Sequence, residues 1–294
     1  MHSFADKARR VERIRQILRH RYGAAPAVTV THPVEHALRA ILAEEAAAKE
    51  ADEGLERLRR HFVDLNDLRV SRPREIRDVL GQNFPRSAHK ARVMPRMLDQ
   101  VFKRHNTMIW DFLEDMGKVQ ARAYFEKLED VRPFVAATLV RDCLGAHAFP
   151  VDTDIIRVLG RLGIVDPAKE SEPKVQAFLE RAVKADRAYE MHWLLKRLAE
   201  DVCIVGTPLC PKCSLNKMCS SAVFPSEGKG RKGKAGVKAA AKAVVKAVVK
   251  KEAKPKASAP KKSAPKVPAP KASAPKPAAP KKKKAKAHAR KKGR

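Results

Sequence analysis

Four of the chain's five cysteines, Cys203, Cys210, Cys213 and Cys219, are bunched in the spacing Cys-x6-Cys-x2-Cys-x5-Cys. Thiolates are soft ligands that suit an iron-sulfur cubane or tetrahedral zinc, and the central pair can meet one metal centre from both ends of a short turn. Pro208 and Pro211 stiffen the approach to that turn. Ligand chemistry leaves iron and zinc both open, against a bland reading as buried free thiols. No apolar run reaches the roughly 18 residues of a membrane span, and no apolar stretch of signal-peptide type opens the chain. An intracellular protein is therefore expected, and in a reducing compartment bunched cysteines favour a metal over a disulfide. Cys143 stands apart in an apolar stretch, where packing is its expected role.

A second candidate is a carboxylate. Val151-Asp152-Thr153-Asp154 leads into Ile155-Ile156-Arg157-Val158-Leu159, the pattern of a helix start with polar caps, so Asp152 can serve there without any chemistry. Upstream, residues 128–132 read as a short turn, and Pro133 sits where a first helical turn accepts it, ahead of an apolar helix ending at Leu144. Helix, tight turn and second helix thus precede the loop that delivers Asp152.

Three- and four-residue apolar steps predict the elements that must position these groups. Ala8, Val11, Ile14 and Leu18 give an amphipathic helix over 5–21, and Pro33 opens another through Leu38, Ile41 and Leu42. Further helices are expected at 53–62, 73–80, 87–103, 109–126, 173–184 and 187–200, with Pro95 interrupting the 87–103 stretch. Sustained strand-like alternation is absent. The fold class is all-α.

Beyond Phe224 the composition changes. From Lys229 to Arg294 there are 25 Lys or Arg against the single acid Glu252, which places +24 of the formal +30 in this segment and +6 in the rest. Lys238, Lys242, Lys246 and Lys250 recur every fourth residue among Ala and Val, so their charges would line one helical face once anions relieve their repulsion. The Lys/Pro/Ala/Ser stretch that follows cannot bury a core, and residues 225–294 are expected to be disordered. Such a tail binds polyanions by releasing counterions, without reading sequence. Duplex DNA is the expected ligand, and RNA is the other polyanion it suits.

With these residues in view, the chain resembles the endonuclease III family of helix-hairpin-helix base-excision DNA glycosylases over roughly residues 30–220. The cysteine spacing matches the family's cluster loop at every interval, which implies a 4Fe-4S cofactor rather than zinc. Residues 151–158 resemble the family's V-D-T-H-[IV]-x-R-V and place Asp152 at the catalytic aspartate, while Lys90-Ala91 and His192-Trp193 echo weaker signatures. Where the family hairpin reads L-P-G-[VI]-G-x-K-T-A, this chain has Leu128-Glu129-Asp130-Val131-Arg132-Pro133-Phe134-Val135-Ala136. Asp130 and Arg132 replace the two glycines, and Phe134 replaces the lysine. A phenylalanine cannot form a Schiff base, so no lysine-dependent lyase step is expected. Upstream, Glu45 stands at a family glutamine and Ala48 at a family aspartate.

The resemblance implies a two-lobed helix-hairpin-helix glycosylase-like fold. Residues 1–29 pack on a cluster lobe of 147–224, residues 30–146 form a helical barrel with a degenerate hairpin, and 225–294 form the tail. It implies a monomer that binds double-stranded DNA, in nucleoid or nucleus, with Asp152 activating water for hydrolysis of an N-glycosidic bond. Arg132 would bond a phosphate or pair with Glu129 or Asp130. Two other classes compete with the enzyme: a non-catalytic DNA- or chromosome-binding protein with a structural cluster and a histone-like tail, and an interaction module built around an exposed Phe134.

Overall fold

Apolar periodicity organises residues 3–224, the part of the chain that the computed structural model describes, into helices joined by short turns. They run α1 Phe4–Tyr22, α2 Pro33–Ala43, α3 Ala48–His61, α4 Leu65–Val70, α5 Pro73–Leu80, α6 Ser87–His105, α7 Lys118–Glu126, α8 Pro133–Leu144, α9 Thr153–Arg161, α10 Glu172–Ala182 and α11 Ala185–Asp201. Their starts follow local chemistry. Ser3 accepts the Asp6 N–H ahead of α1 and Asp64 accepts the Asp67 N–H ahead of α4, while prolines sit in the first turns of α2, α5, α8 and α10. Lys238, Lys242, Lys246 and Lys250, and the disorder expected of 225–294, lie outside the described residues.

The helices bury two apolar cores, giving two lobes. The first gathers α2 to α8 around Leu38, Ile41, Ile76, Met94, Leu98, Phe125 and Leu139. The second joins α1, through Val11, Ile14 and Leu18, to α9, α10 and α11 through Ile155, Leu159, Leu179 and Leu194. The α7–turn–α8 hairpin belongs to the first core, and the loop after α8 crosses from Ala148 in the first core to Phe149 in the second.

Three sequence expectations change. Helix α6 runs through Pro95 instead of breaking there, because Val93, Met94, Met97 and Leu98 around it are buried, and that burial outweighs one lost backbone bond. The helix expected over 109–126 splits into a 3-10 turn at Asp111–Leu113 and α7, separated by Gly117 in an extended conformation. Helix α4, which no expectation covered, has only its Asp64 cap and Leu68, its one buried residue, as local signals.

The metal expectation is also overturned. Among the described residues no group of three or more His, Cys, Asp or Glu side chains could hold a metal ion, so neither a 4Fe-4S cluster nor zinc fits at Cys203, Cys210, Cys213 and Cys219. The four cysteines do border one pocket with Leu162, Leu198, Val202 and Pro208, but as free thiols with other partners. Cys219 donates its S–H to the Arg161 carbonyl at 3.2 Å, and the Arg161 guanidinium lies 3.4 Å from the Cys203 sulfur. Burial pushes the Cys213 and Cys219 thiols up, and their sulfur neighbours add to the rise. The lobe is held by its apolar core and by Arg161, which also bonds the carbonyls of Cys203, Ile204 and Gly206.

Candidate active site

Asp152 stands immediately before α9 and is fully buried. Its Oδ1 accepts the Ile155 N–H at 3.0 Å, the N-cap bond that its position ahead of an apolar-periodic helix implies. Its Oδ2 accepts two further donors, Lys196 Nζ of α11 at 2.8 Å and the Glu45 backbone N–H, between α2 and α3, at 3.3 Å. One carboxylate therefore ties the two lobes together. Lys196 also donates to Asp154 Oδ2 at 3.0 Å, and Asp154 takes Arg157 at 2.6 Å. Burial alone would lower the pKa of Lys196, but Asp152 and Asp154 more than offset it and keep the ammonium charged. Burial likewise pushes Asp154 up, and Lys196 and Arg157 bring it below its ordinary value.

Beside this pair lies a second set of charges from the first lobe. Glu44 is 2 % exposed, and burial pushes its carboxyl up to about 7; Glu45 and Asp152 reinforce the rise while Arg132 and Arg86 oppose it. Arg132 Nε lies 2.8 Å from Glu44 Oε1 without the alignment of a hydrogen bond, and that buried oxygen has no donor aimed at it. The same guanidinium grips both oxygens of Glu172, at 2.6 and 2.7 Å. Glu45 adopts a left-handed backbone, φ +54°, and its carboxylate accepts Arg86 Nη1 at 3.1 Å. Lys90, fully buried, donates to the Leu42 carbonyl at 2.8 Å with its ammonium 4.8 Å from the Phe84 ring centre. Burial brings it down to about 8 against the pull of Glu44 and Glu45.

The hairpin is closed from within. Asp130 has φ +65°, a region where glycine is at ease and Asp is among the few side chains tolerated, and it pairs with Arg96 of α6. The Glu129 N–H donates to Gln100 Oε1 at 2.9 Å, and Gln100 Nε2 donates back to the Glu129 carbonyl at 3.2 Å. The Glu129 amide of the turn is thus held by a side chain of α6. Arg132 pairs with Glu44 and Glu172, not with the neighbouring Glu129 or Asp130. Phe134 is 3 % exposed in the first core, so the exposed apolar surface expected of an interaction module is not there. Its ring lies 6.0 Å from the His192 imidazole, which burial drives far below its ordinary pKa and so keeps neutral.

The structure therefore gathers Asp152, Lys196, Glu44, Glu45, Arg86, Lys90 and Arg132 around the lobe junction. Lys196, Glu44 and Arg86 have no place in the expectations from sequence. Lys196 had a signal: it lies four residues after His192 and hence on the same face of α11. Glu44 had none apart from its neighbour, Glu45.

No family model matches the chain. Endonuclease III of Sulfolobus acidocaldarius is 26 % identical over 101 residues, and a thymine-DNA glycosylase of Aeropyrum pernix is 29 % identical over 99. These matches take in 33 % and 32 % of this chain and 44 % of each relative, so the chain matches less than half the length of either. Among solved structures, a trapped endonuclease III–DNA covalent intermediate superposes with a TM-score of 0.59 at 17 % identity, covering 76 % of this chain and 98 % of that one. A thermostable thymine-DNA glycosylase gives 0.54 at 16 % identity, covering 74 % and 96 %. The described residues have the all-α, two-lobed fold of the helix-hairpin-helix DNA glycosylases.

Proposed function

We propose that the protein binds duplex DNA through this glycosylase-type body and its lysine-rich C-terminal segment, without excising a base at Asp152. The fold is shared with an endonuclease III solved in complex with DNA, and +24 of the formal charge in residues 229–294 supplies sequence-independent affinity. One observation carries the non-catalytic part: Asp152 is fully buried and its oxygens already take three donors. A carboxylate in that state has no surface to offer a water or a developing charge at C1′ of a flipped nucleotide. Phe134, at the hairpin position of the family's lysine, offers no amine either.

The second reading, a hydrolytic glycosylase, has its own support. Burial pushes Glu44 up to about 7, with the Asp152 charge adding to the rise, and brings Lys90 down to about 8 against the pull of Glu44, and such perturbed groups gather at reaction centres. An assay on duplexes carrying oxidised pyrimidines, uracil or mismatched adenine separates the two. The expected outcome is salt-sensitive binding with no base released, equal in wild type and Asp152→Asn protein that has been checked to be folded. Base release by the wild type that the substitution abolishes would establish the enzyme instead.

A further inference from the structure

Positive charge on the outer face of α6 is only partly matched by carboxylates among the described residues. Arg92 and Arg96 are both exposed, four residues apart and so on one helix face, about 6 Å apart along its axis. Arg92 has no carboxylate partner among the described residues. Arg96 reaches Asp130, but the two side chains are 62 % and 43 % exposed, and so open a pair is held weakly in water. One turn earlier, His89 is partly buried, and its pKa is lowered first by that burial and then by the charges of Arg86, Arg132 and Arg92. The α6 face beside the hairpin is therefore a region of positive potential, opposed by the exposed Glu129 and Asp130.

We propose that Arg92 and Arg96 form a docking strip for the backbone phosphates of duplex DNA, in place of the hairpin turn, whose exposed Glu129 and Asp130 carboxylates repel a phosphate. Guanidiniums bind phosphate oxygens with charge-assisted bonds and need no glycine for close approach. A phosphate arriving at Arg96 displaces the Asp130 carboxylate, so Asp130 acts as a built-in competitor for the strip. The occupant is duplex DNA because the inference rests on the DNA-binding reading above and names the surface that reading requires on the folded body.

Full-length protein and a labelled duplex of about 20 base pairs test it, with affinity measured across a salt series. The tail is present in every protein compared, so its share cancels. Arg92→Ala/Arg96→Ala is expected to weaken binding at least about fivefold near ~0.15 M salt and to reduce the slope of log affinity against log salt by about 2, each phosphate contact contributing about 0.9. Arg60→Ala/Arg74→Ala removes the same charge from exposed sites on α3 and α5 and is expected to change neither. Asp130→Gly, which suits the left-handed backbone, is expected to tighten binding, an outcome that misfolding cannot imitate. An unchanged slope, an equal loss in the control pair, or weaker binding by Asp130→Gly overturns the strip. Wild-type protein with no salt-dependent duplex binding at all would instead overturn the function proposed above.

Discussion

At Glu44 a carboxyl whose ordinary value is 4.5 is pushed to about 7 by burial. A raised acid binds more protons folded than unfolded, so its contribution to stability is full at low pH and is lost as pH climbs from about 4.5 to about 7. The shift corresponds to a ceiling of about 3 kcal/mol. Urea unfolding between pH 5 and 8 should show wild-type stability declining over that window, and Glu44→Gln should flatten the decline; parallel curves would show that Glu44 is not the group responsible. None of this was legible in the sequence. Asp152 could be read as an N-cap because its helix follows it directly, but Lys196 is 44 residues away and Glu45 is 107. Contacts at such separations leave no local pattern.

At the scale of elements, the hairpin is two helices and a turn packed into the first core. Pro133, the turn and the apolar α8 were readable because each follows local rules, as were α5 and α11 to within two residues. The split of 109–126 and the unbroken α6 were not, since tertiary packing decided both. The cysteine spacing suggested a metal that the thiols' actual partners do not support. Because Phe134 faces the core, a lysine placed there should not supply a reactive amine. Phe134→Lys is expected to lower stability by about 3 kcal/mol or more, from a lost aromatic and a buried ammonium, and to give no borohydride-trapped adduct with abasic DNA. A trapped adduct in a protein of wild-type stability would contradict the burial of this position.

Across the whole molecule, charge is divided as unequally as apolar surface. The described body carries a modest excess of positive charge, whereas residues 229–294 carry +24. Deleting 229–294 is expected to weaken non-specific duplex binding by about tenfold or more near ~0.15 M salt, measured by anisotropy; undiminished affinity would remove the segment from the binding account. This division was fully legible, because composition alone sets it. The body's unity was not. Its two cores meet through Asp152, with Lys196 on one side and the Glu45 amide on the other, and through Arg132 reaching Glu44 and Glu172. Were either half to melt first, it would strand an ion in a dry interior, so the junction couples the fates of two lobes that hydrophobic packing alone would leave free to come apart separately.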